Sequence, residues 1–298
     1  MEKFKFISRK IEIDEKEKLN EELSKILIQK QGTSRRIGIL RIDYLFSVIV
    51  PCLMAIYLNN LNLIRHLDII FGFFLYGITG NTLNDAIDMK DPNDVETIKR
   101  TEGYHPKELI SISLISFLFG SMFFVRTISN HPINGLILII IILLVILYCV
   151  KKNIPIINQI LLGLSHIFFP YIMIKIDAES TQIMSLGEWY IMICIFAYAY
   201  SGQIVHEIID GDSITRFPLR VQQMIVIISS IISISVGIFA FILLKNIYLI
   251  PFAVIPVGAI YTFRRPTRSR KGVKDVGIIM GNIILIYLLI LIFQQNSL

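Results

Sequence analysis

Ile133-Asn-Gly-Leu-Ile-Leu-Ile-Ile-Ile-Ile-Leu-Leu-Val-Ile-Leu-Tyr-Cys-Val150 runs without a single charged side chain. A hydrocarbon core about 30 Å thick takes roughly 17–25 apolar residues in helical form. Inside lipid only helices and closed barrels satisfy every backbone N–H and C=O. A barrel strand alternates polar and apolar positions with a period of two, and this stretch does not. It therefore predicts a membrane-spanning helix.

The pattern extends in both directions. Of the 298 residues, 54% are hydrophobic, and mean hydropathy is +0.66. A soluble domain holds about 45–50% apolar residues and scatters them among polar ones; here they come in blocks, Val276 to Phe293 among them. Nine candidate spans result, at 42–60, 67–84, 108–126, 133–150, 154–175, 186–206, 221–243, 246–263 and 276–294. The span at 246–263 is the weakest, because Pro251 and Pro256 interrupt it. The expected fold is an all-α integral membrane protein, a bundle of about nine transmembrane helices around a central cavity.

Residues 1–40 read as an arm and 41–298 as the membrane domain. Within the arm, Leu19, Leu23, Ile26 and Leu27 recur at helical spacing among charges from Ile13 to Gln31. An amphipathic surface helix and a loose charged tail both fit. Residues 1–36 are too charged for a signal peptide. Eleven Lys and Arg lie in the arm through Arg41, and fourteen more fall in alternate loops. The other side keeps only Arg65, Arg126, Lys175 and Lys245. By the positive-inside rule the N-terminus and the basic loops are cytoplasmic. The net charge of +6 is then an orientation signal. No basic, aromatic-interleaved module points to nucleic acid. Cys52, Cys149 and Cys194 lie in or beside apolar runs without Cys-x-x-Cys spacing, which favours packing over a disulfide or zinc.

Two inside loops hold most of the acids beyond the arm. The first is Asn81-Thr-Leu-Asn84-Asp85-Ala-Ile-Asp88-Met-Lys90-Asp91-Pro-Asn-Asp94, at the end of the second span. On a continuing helix, Asn84, Asp88 and Asp91 share a face, as do Asp85 and Asp88. Carboxylates this close repel unless a cation offsets them. Hard oxygen ligands suit Mg²⁺, which binds one or two carboxylates together with substrate phosphates. A charged cap on a membrane helix is the plainer reading. The second loop, Gln203-Ile-Val-His206-Glu207-Ile-Ile-Asp210-Gly-Asp212, ends the sixth span, with Glu207 and Asp210 on one face. His206 is more simply a hydrogen-bonded structural residue than a ligand. Lys99 and Arg100 follow the first loop, and Tyr148-Cys-Val-Lys151-Lys152 ends the fourth span. Acids with bases on the same side make a sensible diphosphate site, with magnesium bridging to the phosphates.

These residues together resemble the UbiA superfamily of intramembrane prenyltransferases. Asn84-Asp85-Ala-Ile-Asp88 matches its opening Asn-Asp-x-x-Asp signature. Tyr148-x-x-Lys151-Lys152 is similar to its aromatic-x-x-Lys-Arg segment, with Asn158, Gln159 and Gly163 at familiar places. Glu207-x-x-Asp210-Gly-Asp212 resembles its second acidic motif. The resemblance covers residues 40–294 and rests on the combination. Three departures stand out: Asp91 follows Asp88 by three positions with Pro92 in the usual place, Glu207 replaces an Asp, and the closing motif is shortened to Asp210-Gly-Asp212.

The resemblance implies a Mg²⁺-dependent enzyme that ionises a prenyl diphosphate and passes the allylic cation to a hydrophobic or aromatic acceptor in the bilayer. It implies Asp85, Asp88 and Asp91 around one Mg²⁺, and Glu207, Asp210 and Asp212 around another. Asn84, Lys99, Arg100 and Lys151 are expected on the diphosphate, and Arg41, His206 and Tyr148 around the acceptor or diphosphate pocket. Tyr76, Tyr198 and Tyr200 are cation-stabilising candidates or plain belt and core residues. A membrane terpene cyclase of the same superfamily is the second reading. A CDP-alcohol phosphotransferase needs an Asp-x-x-Asp-Gly-x-x-Ala-Arg pattern that is absent. A transporter or scaffold would place its ionisable groups nearer mid-membrane.

Overall fold

Every regular element among the described residues is helical. The computed structural model describes residues 38–90, 92, 94–150, 154–210, 213–263 and 271–296. The chain divides into two compact units, Met1–Ile42 and Asp43–Leu298. The expected helix at 13–31 lies outside the described residues. The described part of the first unit holds a turn in which the Arg41 N–H donates to the Gly38 carbonyl at 3.2 Å, with Arg41 at φ +46°.

The second unit consists of α1 Phe46–Leu58, α2 Leu67–Asp88, the short α3 Val95–Arg100, α4 Pro106–Asn130, α5 Pro132–Val150, α6 Ile157–Gly163, α7 Phe169–Asp177, α8 Leu186–Asp210, α9 Leu219–Leu244, α10 Ile250–Val254, α11 Pro256–Phe263 and α12 Lys271–Asn296. A π-helical turn, Leu164–Phe168, fuses α6 to α7. Pro170 explains it: a proline offers no N–H and its ring pushes on the carbonyl one turn back, so the ladder widens just ahead of it.

Among the described residues, seven helical segments are long and apolar enough to cross a membrane, and Pro132–Cys149 is one of them. The first and eighth expected spans are shorter. At 246–263 a 3₁₀ turn, α10 and α11 replace one helix, broken at Pro251 and Pro256. The first, α1, is only 13 residues, about 20 Å at 1.5 Å per residue. Its sequence is apolar all round, and Cys52, Leu53, Met54, Ala55 and Ile56 are all buried. A helix apolar on every side belongs inside a bundle, and α1 forms the centre of the core, against α2, α7 and α12.

Two helix pairs flank that centre. In α2–α4, each helix offers a glycine to the other's aromatic ring: a Cβ on Gly72 would lie 2.6 Å from Phe124, and one on Gly120 would lie 2.6 Å from Tyr76. In α8–α9, hydroxyls join the faces, Ser201 to Ser229 at 2.5 Å and Ser233 to the Cys194 carbonyl at 2.9 Å. Small residues let membrane helices approach this closely.

The end opposite the acidic loops is fastened by ion pairs. Arg126 of α4 holds Asp68 of α2 at 2.5 Å and Asp177 of α7 at 2.9 Å, and His66 Nδ1 lies 2.7 Å from Asp177. Lys175 of α7 pairs with Glu188 of α8 at 2.9 Å, and Tyr171 and Asn59 also donate to Glu188.

Candidate active site

Helix α2 carries the first acidic segment on its last turns. Its backbone is helical through Asp88, so the i, i+4 spacing of Asn84 and Asp88 becomes a contact: Asn84 Nδ2 donates to Asp88 Oδ2 at 2.6 Å. Asp85, one position on, points to a different neighbour. Arg100 Nε donates to Asp85 Oδ2 at 2.9 Å and Arg100 Nη2 to Oδ1 at 2.8 Å. Asp85 is completely buried.

Arg100 comes from α3, whose start is set by its own residues. Asp94 is the N-cap, accepting from the Thr97 N–H at 2.9 Å and from the Thr97 hydroxyl at 2.8 Å. Arg100 Nη2 also donates to Thr97 Oγ1 at 2.9 Å, and Glu96 lies 3.5 Å from the guanidinium. Burial alone would lower the Arg100 pKa; the hydrogen bonds and charge of Asp85, with Glu96 and Asp94, outweigh it and hold the group above its ordinary value. Lys99 is exposed. The two adjacent bases, expected together on diphosphate, thus stand in different surroundings.

The second acidic segment ends α8. Glu207 is buried, and Gln159 at the start of α6 donates to its Oε1. Asp210 is the last residue of the helix. Tyr148, on the last turn of α5, accepts from Gln203 Nε2 of α8 at 3.4 Å. The His206 ring lies 6.1 Å from that of Tyr44, just ahead of α1. Both acidic segments therefore sit at the same end of the bundle, the second tied to α5 and α6. Asp91, Lys151 and Asp212 lie outside the described residues, and Arg41 belongs to the first unit. Tyr76 is held in packing, stacked on Phe117 and bonded to Ser121 at 2.8 Å.

Sequence reasoning gave Asp94 no role beyond its place in the acidic run and passed over Tyr44. The signal for Asp94 was present, since Asp ahead of Thr three residues later is an N-cap pattern.

The donor set suits a hard divalent cation. On each acidic segment it is all oxygen: Asp85 and Asp88 with Asn84 Oδ1 on one, Glu207 with Gln159 Oε1 on the other, both amide oxygens buried without a hydrogen-bond partner among the described residues. No group of three or more His, Cys, Asp or Glu converges as a ready metal cage among the described residues; Asp85 faces a guanidinium instead. On the flank, Asp43, Ile278, Ile279, Asn282, Ile283 and Ile286 line a groove of about 430 Å³.

Fold and site together define an α-helical membrane bundle with acidic motifs gathered at one end. No protein-family model matches the chain, and no curated protein matches it. Among solved structures it is similar to one described as digeranylgeranylglyceryl phosphate synthase in membranes, with a TM-score of 0.55 and 17% identity, covering 90% of this chain and 100% of that one. The chain shares the fold of that membrane synthase.

Proposed function

We propose that the protein is a Mg²⁺-dependent prenyltransferase, moving a prenyl group from a prenyl diphosphate to an aromatic or lipid acceptor inside the membrane. The coincidence that supports this is specific: on a prenyltransferase fold, the Asn84-Asp85-x-x-Asp88 signature ends α2 and Glu207 ends α8 at the same end of the bundle. The bundle crosses the membrane about nine times, counting α1 and the α10–α11 segment, with the N-terminus and the acidic loops cytoplasmic.

Asp85, Asp88 and Asp91, and Glu207, Asp210 and Asp212, would hold the metal. When bound, Mg²⁺ offsets the negative charge that builds on the leaving diphosphate. Asn84, Lys99, Arg100 and Lys151 bind the phosphates, and His206 and Tyr148 border the pocket. Burial of Asp85 and Glu207 keeps water away from the cation formed when the diphosphate leaves. The prenyl tail lies between helices, open to lipid.

The test is product analysis. Purified protein with Mg²⁺ and radiolabelled prenyl diphosphates of several lengths is expected to yield labelled acceptor from a panel of aromatic and lipid acceptors. A cyclised hydrocarbon or alcohol formed without acceptor would replace the transferase with a cyclase.

A further inference from the structure

We propose that Arg100 gates Asp85, occupying its carboxylate in the ligand-free protein and releasing it to the metal only when diphosphate arrives to take the guanidinium. The inference rests on the prenyl diphosphate reading and adds to it a rule for the order in which ligands enter.

Both Asp85 oxygens are taken by one planar fork, at 2.9 and 2.8 Å. The carboxylate is fully buried and Arg100 largely so, with 16% of its side chain exposed. A buried carboxylate without a counter-charge is strongly disfavoured, so some cation has to be present at all times. The fork is also set in advance. Thr97 accepts from Arg100 Nη2 and is itself fixed by Asp94, so the short helix α3 delivers the guanidinium to Asp85 before any ligand binds.

A metal ion ligated by Asp85 would have to share that carboxylate with the guanidinium, and two positive charges on one carboxylate repel. Diphosphate offers Arg100 the same bidentate geometry that Asp85 does. Exchange of carboxylate for phosphate keeps the guanidinium paired and lifts its fork from both Asp85 oxygens. Metal and diphosphate then favour each other's binding, and the free metal binds poorly by itself.

The experiment uses Mn²⁺ alone as the probe, titrated into full-length protein in detergent and followed by the EPR signal of the free ion. Arg100→Gln is expected to bind Mn²⁺ about tenfold tighter than wild type, the size expected when charge-assisted hydrogen bonds no longer compete. Arg100→Lys, which keeps the charge without the fork, falls between. Arg100→Gln combined with Asp85→Asn, a neutral pair that stays foldable if the single variant does not, loses the gain. A residue that only props the loop would weaken Mn²⁺ binding when removed. Equal or weaker binding in Arg100→Gln, or a gain that survives Asp85→Asn, overturns the gate. Turnover of prenyl diphosphate with Mn²⁺ affinity indifferent to Arg100 removes the gate and keeps the transferase. A gain in Mn²⁺ affinity without turnover on any prenyl diphosphate keeps the gate and removes the transferase.

Discussion

Glu207 and Gln159 show what individual side chains contribute. Glu207 is buried at the end of α8, and the Gln159 amide donates to its Oε1. Gln159→Leu removes a hydrogen bond to a charged group, which is worth about 1.5–3 kcal/mol. Turnover is expected to fall at least about tenfold with the thermal midpoint nearly unchanged, whereas Gln159→Glu, setting a second carboxylate against the first, is expected to fall further. Equal turnover in Gln159→Leu and wild type would show that Glu207 needs no such donor. Part of this geometry is legible in the sequence. The helical offset of Asn84 and Asp88 gave a contact, because spacing along one helix is local information. The Arg100–Asp85 fork was not legible: it depends on how the chain turns after Asp88, where α3 folds back on α2, and no periodicity encodes that.

Helix pairs carry the next layer. Gly72 and Gly120 let α2 and α4 close on Phe124 and Tyr76, and a Cβ at either would come within 2.6 Å of a ring. Gly120→Ala is expected to cost about 1–3 kcal/mol through overpacking, read as a lowered thermal midpoint. Gly277→Ala in α12, where a Cβ meets nothing within 4 Å, serves as the control and is expected to be neutral or slightly stabilising. The α7–α8 clasp gives a second test. Lys175→Met strands Glu188 without its cation, and breaking a buried ion pair by removing one member costs about 3–5 kcal/mol. The double variant Lys175→Met with Glu188→Gln is expected to recover part of that loss. Hydropathy located the long helices well, since each is a local average over its own residues. Helix α1 and the 246–263 segment are shorter or more broken than the spans that hydropathy draws. The stretch around Pro251 and Pro256 contains its own breaks, and α1 is apolar because protein surrounds it on all sides. The far-end clasps escape hydropathy because Asp68, Arg126, Asp177 and Glu188 lie far apart in the chain.

For the molecule as a whole, the basic residues predict the orientation. Four Lys or Arg were assigned to the far side, and two of them, Arg126 and Lys175, are now seen in ion pairs. Their charge is spent within the protein, which sharpens the asymmetry that the positive-inside rule uses. In sealed inside-out membrane vesicles, Glu102→Cys is expected to react with a membrane-impermeant maleimide, and Thr181→Cys is not; the reverse pattern would invert the topology. The measurement that bears most directly on the proposed chemistry is Mg²⁺-dependent release of diphosphate from a prenyl diphosphate by the wild-type protein and by Asp85→Ala. Release that requires Mg²⁺ and drops at least about a hundredfold in the variant is the expected result. Release that ignores Mg²⁺, or persists undiminished in folded Asp85→Ala protein, would contradict it.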